Sequence, residues 1–256
     1  MAIENLLVNV SDLAVSLDFY TTLLGGVVVG EPTPDSALLD FVSATIELRR
    51  VGEAVPSTWQ EDDQVLGFRH IGFKVAKVDD LVARLRTAEV PFRVEPVDAV
   101  GGVRIAFFFA PEGTVLEIVE GALQYHTVVD ARAVAKERAR GVPQRPRFDH
   151  VAVTTHGQGT SYAAYAAVGF NHMGTLLFAD DPRGFRIDYL KGGDSVLEVF
   201  TFGVGVRSGV VRPDSLGFSA VELGGGDLPP RSSRIGVAGG RSLYRDSNEL
   251  SFTVGR

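Results

Sequence analysis

The 256-residue chain carries two His–Glu pairs whose types and spacing suit metal chelation: His70 with Glu117, and His150 with Glu198. In each pair the histidine opens an apolar run and the glutamate interrupts a later one, as in RHIGFKV with TVLEIVE and DHVAVTT with SVLEVFT. Asn5 with Glu47 occupies a matching place, and aligning NELSF with TVLEI adds Ser215 with Ser251. Side chains alternate between the faces of a strand, so Leu116 and Ile118 take one face and Glu117 the other; Leu197 and Val199 do the same for Glu198. A carboxylate on the concave face of a sheet is costly unless it meets a cation. The chain has no cysteine, so imidazole nitrogen and carboxylate oxygen are the available charged-site donors. They suit a divalent transition metal such as Zn, Ni, Mn, Fe or Co. A lone histidine at a strand start is ordinarily only a hydrogen-bonded group. Two histidines and two or three glutamates at equivalent places in a repeat reverse that reading.

The elements that would position these residues recur. IENLLVNV reads as a strand, and DLAVSLDFYTTLL as a helix with Asp12 as N-cap, stopped by Gly25-Gly26. GVVVGE, SALLDFVS and ATIELRR follow as strands. The same order returns over 67–121 and again over 148–203. A fourth copy over 214–254 is eroded: SLGFSAVEL, SRIGVAGG and ELSFTVG remain strand-like, but GGGDLPPRSS makes a poor helix. The expected class is α+β, with four βαβββ modules forming two cleft-shaped mixed sheets. Residues 1–121 form an N-terminal domain of two modules and 148–256 a C-terminal one. Between them, 122–147 reads as a helical linker, with DARAVAKERARG as a charged surface helix and PQRPR as a stiff segment.

A formal net charge of -7 without a basic tract gives no footprint for nucleic acid or an anionic membrane. No signal peptide or membrane-length apolar run is legible, so a cytoplasmic protein is expected. No nucleotide loop stands before a helix, so no nucleotide cofactor-binding residues are predicted. His126, His156 and His172 read as structural or exposed, with His126 a lesser candidate acid–base group, and Arg49 and Arg69 as salt-bridging residues.

NLLVNVSDLAVSLDFYTTLLG and GGVRIAFFFAPEGTVLEIVEG resemble the opening and closing strands of modules of the glyoxalase, or vicinal oxygen chelate, superfamily. The resemblance is good over modules one and two, fair over three and weak over four. It implies the glyoxalase/bleomycin-resistance/extradiol-dioxygenase-like fold, and a metal held by the first-strand His and last-strand Glu of two paired modules. If consecutive modules pair, one cleft holds Asn5, Glu47, His70 and Glu117, and Glu47 is a ligand. If two pairs with three and one with four, a complete set of His70, Glu117, His150 and Glu198 results, and every loss falls in the other cleft. The second pairing is favoured because it confines the damage. The implied activity is metal-dependent isomerase, epimerase or lyase chemistry on a small oxygen-rich molecule through an enediolate, with Glu117 and Glu198 as the proton-moving carboxylates. A metal-free drug-binding protein is the alternative, and an extradiol dioxygenase a lesser one. The expected partner is a small molecule, and the expected assembly a monomer or homodimer.

Overall fold

The computed structural model describes residues 2–52, 56–57, 59–209, 211–225 and 227–254. Module one comprises β1 (Ile3–Val10), α1 (Leu13–Asp18), β2 (Val27–Val29), β3 (Ser36–Asp40) and β4 (Thr45–Arg50). Asp12 caps α1 as expected: its Oδ1 accepts from the amides of Ala14 at 2.9 Å and Val15 at 3.1 Å. The helix does not run on unchanged to Leu24, however. Phe19–Leu23 form a wider π-helical turn, which carries both Phe19 and Tyr20 into the core.

Module two comprises β5 (Gly67–Lys74), α2 (Val78–Thr87), β6 (Phe92–Ala99), β7 (Val103–Phe109) and β8 (Val115–Glu120). Asp79 and Asp80 in the first turn of α2, and Arg84 and Arg86 in the last, complement the helix dipole. The segment 122–147 carries β9 (Thr127–Val128) and α3 (Ala131–Ala139). Module three follows as β10 (Arg147–Thr154), α4 (Gln158–Ala167), β11 (Asn171–Leu177), β12 (Arg186–Gly192) and β13 (Ser195–Thr201). Module four is β14 (Gly217–Leu223), β15 (Ser233–Ala238), β16 (Arg241–Arg245) and β17 (Ser251–Val254). None of the described residues of 224–232 is helical, as its glycines and prolines dictate; residue 226 of the GGG run lies outside the described residues. The module has kept more than its sequence suggests, since RSLYR, with an arginine at either end, forms a strand.

Strand order settles the pairing. One sheet has eight strands, β15-β16-β17-β14-β1-β4-β3-β2, and the other nine, β6-β7-β8-β5-β10-β13-β12-β11-β9. Module one therefore joins module four, and module two joins module three. Each sheet takes strands from both sides of 122–147. At the seams β1 meets β14 and β5 meets β10, both antiparallel, while within each module the first and last strands run parallel.

One hydrophobic cluster threads all four modules, from Ile3 and Phe41 through Phe108 to Phe148, Tyr165 and Phe252. Buried tyrosines tie the modules in a second direction. Tyr20 donates to Glu112 at 2.7 Å, joining module one to two, and Tyr165 donates to Asp246 at 3.0 Å, joining three to four. No helix among the described residues is long and apolar enough to cross a membrane.

Candidate metal centre

The seam of the nine-stranded sheet brings the two histidines together. Across β5 and β10, His70 lies opposite Ala152 and His150 opposite Gly72. The parallel neighbours then supply the carboxylates, Gly72 pairing with Glu117 on β8 and Ala152 with Glu198 on β13. Each glutamate thus stands one strand outward and one same-face step beyond its own module's histidine. Two copies related across the seam put all four side chains on one point of the same face. The Nε2 atoms of His70 and His150 are 3.1 Å apart. Glu117 Oε2 lies 3.1 Å from the first and 2.9 Å from the second, and Glu198 Oε2 lies 3.2 and 3.4 Å from them. All four residues are buried, with ligand atoms within 4.8 Å of one another.

Donors about 2.0–2.2 Å from a transition metal stand roughly 2.8–3.6 Å apart in octahedral or tetrahedral arrangement. The His–His and His–Glu separations match that spacing, and two imidazole nitrogens with two carboxylate oxygens are a fitting set. His70, Glu117, His150 and Glu198 are therefore the residues that could hold a divalent cation.

Comparison with known proteins gives the fold a family. Residues 2–118 match the model described as the Glyoxalase/Bleomycin resistance protein/Dioxygenase superfamily. The match covers a little under half of the chain, and the whole chain has the fold of that superfamily. Glyoxalase I from Zea mays has a similar structure, with a TM-score of 0.71 at 17% identity over 99% of this chain and 91% of that one. A putative dioxygenase from Bacillus subtilis gives a TM-score of 0.61 at 16% identity over 99% of this chain and 84% of that one. At these identities the likeness is one of fold. No curated protein sequence matches the chain.

Burial and charge oppose each other within the four-residue cluster. Burial pushes the Glu117 carboxyl up, but hydrogen bonds from His150 and His70 outweigh it and hold the group at about 2. Burial pushes the His150 ring down, yet the Glu198 charge, with Asp149 and Glu117, raises it well above the usual histidine value. In the metal-free protein a proton on His150 thus takes part of the role of a cation. Beside the cluster opens a cavity of about 670 Å³. Its walls include Phe107, Phe178, Phe200, Met173, Leu176 and Ile187, an apolar lining suited to an organic molecule with a polar end at the four donors.

Glu47 is not in this set, because module one pairs with four. It lies in the eight-stranded sheet, where Asn5 Nδ2 donates to it at 3.4 Å and the Arg241 guanidinium bridges it to Glu222. The fourth-module slots also need correction. The seam β1–β14 repeats the register and bulges of β5–β10, with Asn5 opposite Glu222 and Leu7 opposite Ala220. Ala220 therefore stands where His150 does. Thr253, paired with Glu222, stands where Glu198 does. Ser215 precedes β14 and donates to the Arg212 carbonyl at 2.8 Å, while Ser251 is two residues short of the slot. A two-residue slip preserves strand parity, so alternation of faces gave no warning of it. The losses remain confined to one cleft, in which Arg241 supplies the positive charge.

The lesser candidates have structural roles. His126 Nδ1 accepts from the Leu177 amide at 2.9 Å, and His172 Nε2 lies 3.2 Å from Asp188, on the face of β12 away from the cavity-lining Ile187 and Tyr189. The His156 amide donates to Asn248 Oδ1 at 3.1 Å. Arg49 donates to Asn9 at 2.7 Å, and Arg69 to the carbonyls of Gln60 at 3.0 Å and Asp62 at 2.6 Å. Two residues beside the donors escaped the sequence reading. Asp149 Oδ2 lies 3.1 Å from His150 Nδ1, and Tyr189 donates to Glu198 Oε1 at 2.7 Å. Asp149 is legible in retrospect as the acid beside a ligand in FDHV, and Tyr189 as the cleft-face position of FRIDYLKGG.

Proposed function

We propose that the chain is a divalent-metal-dependent isomerase, epimerase or lyase of glyoxalase type, acting on a small molecule with two neighbouring oxygens. The observation that carries this reading is the convergence of His70, Glu117, His150 and Glu198 at the floor of an apolar cavity. A bound cation would polarise the substrate oxygens and stabilise the negative charge that develops on them. The residues of the chain do the rest. Glu117 and Glu198 are the carboxylates within reach of a carbon beside those oxygens, and one of them takes its proton and returns it. Phe107 and Phe200 pack beside His70 in the cavity wall, and apolar surroundings strengthen charge interactions there. All four donors come from a single chain, so the site needs no second copy.

The dioxygenase reading calls for two histidines and a glutamate from the C-terminal half, which here contributes one of each. The apolar cavity by itself would also serve a metal-free binding protein, and metal content separates that reading from the enzyme. Purified protein should carry close to one equivalent of Ni, Zn, Mn, Fe or Co by elemental analysis and native mass spectrometry. His70→Ala should lose it while keeping its circular dichroism spectrum. Equal metal content in the variant and the wild type, or none in either, would defeat the proposal.

A further inference from the structure

The two modules that build the centre offer the same ligands but surround them differently. The strand residue paired across from Glu198 is Tyr189, and the one paired across from Glu117 is Phe107. These are equivalent positions, so one glutamate faces a hydroxyl and the other a bare ring. Tyr189 donates to Glu198 Oε1 at 2.7 Å, leaving Oε2 aimed at the two histidines. Glu117 has no polar partner among the described residues beyond those histidines. The histidines repeat the contrast. Asp149 holds His150 Nδ1 at 3.1 Å, which turns Nε2 inward as the lone-pair nitrogen. The residue preceding His70 is instead Arg69, whose Nη1 donates to loop carbonyls, and His70 is steadied by edge-on contact with Phe107 at 5.0 Å.

A ligand held by a second hydrogen bond loses little freedom on binding and resists displacement, whereas one held by the cation alone can leave it at small cost. Resting on the metal-dependent reading above, we infer that Tyr189 and Asp149 are positioning residues that fix Glu198 and His150 as the permanent half of the donor set, leaving Glu117 as the carboxylate that moves. The division of labour follows from which atoms are already committed. Glu198 Oε1 is tied down and cannot swing without breaking its bond to Tyr189, while Glu117 has only the apolar wall of Phe107 behind it. Of the two candidate proton carriers, Glu117 is the one with room to act.

The test uses Co²⁺ alone, on metal-stripped full-length protein. Affinity comes from competition with a chelator, coordination from the visible absorption bands, and lability from the rate of release to excess EDTA. Tyr189→Phe and Asp149→Asn should each weaken Co²⁺ binding by roughly 10–100-fold, shift the bands and speed release, with the far-UV circular dichroism spectrum of the metal-free protein unchanged. Phe107→Tyr supplies the missing hydroxyl behind Glu117 and should slow release. A wild type that takes up Co²⁺ while Tyr189→Phe and Asp149→Asn match it in affinity, spectrum and release overturns the inference and leaves the metal reading intact. A wild type that takes up none overturns both.

Discussion

A histidine that must shed a proton before it can accept a metal makes binding a function of pH. His150 stands above its usual value because Glu198, Asp149 and Glu117 surround it, so near neutrality each cation bound displaces a proton from it. Apparent Co²⁺ affinity should therefore rise about tenfold per pH unit for each proton displaced, between about pH 6 and 8; a flat profile would exclude protonated His150 as the competitor. Stability carries the same signature. The stabilisation from protonated His150 is full below about pH 6.5 and is lost as pH rises through the raised value. Glu117 behaves oppositely, since its contribution persists above the usual carboxylate range and fades only as pH falls toward about 2. Melting of the metal-free protein should thus move to lower temperature as pH rises above neutrality, while the metal-loaded protein holds its Tm. The convergence of His70, Glu117, His150 and Glu198 was legible in the sequence because repetition and strand parity act together on them. Asp149 and Tyr189 were not, because a second hydrogen bond to a ligand leaves no periodic trace.

At the scale of elements, the site is a property of register. The β5–β10 seam sets His150 directly against Gly72 and His70 against Ala152. A Cβ on Gly72 would lie 2.1 Å from His150 Cε1 and 2.3 Å from its Nε2. Gly72 is absent from the positive-φ positions, so space rather than backbone conformation demands the glycine. Gly72→Ala should push the His150 ring off the shared point into the neighbouring cavity. The expected result is a large loss of Co²⁺ affinity with the fold retained, read by chelator competition and circular dichroism. Wild-type affinity in that variant would mean that the ring has another seat from which it can bind. This requirement could not be read from GFRHIGFKV alone, where Gly72 is simply a glycine in a strand. The strands themselves were well marked, apart from β9 and β16, because period-two alternation survives even where a module has lost its helix. The exact seam was not, since the bulges flanking three paired positions are set by the partner strand.

For the whole molecule, the pattern of losses carried real information. The sequence left two pairings open and favoured the one that gathered the damage into a single cleft, and the sheets follow that pairing. One cleft keeps two His–Glu pairs, while the other closes around Glu47, Glu222 and Arg241. Sheets join one to four and two to three, whereas Tyr20–Glu112 and Tyr165–Asp246 join one to two and three to four. Every module is therefore bound to two others, and the core cluster is shared by all four. No module pair can leave without exposing apolar surface and stranding a buried polar partner, which predicts one cooperative transition. Trp59, the single tryptophan, donates to the Phe68 carbonyl at 3.1 Å beside the working sheet, so its fluorescence follows that sheet, while far-UV circular dichroism follows both. In urea the two signals should fall together at one midpoint, in wild type and in metal-free His70→Ala alike. If Trp59 changed first, with much of the circular dichroism surviving to higher denaturant, the eight-stranded sheet would be standing on its own, and the cross-ties between modules would be weaker than their burial implies.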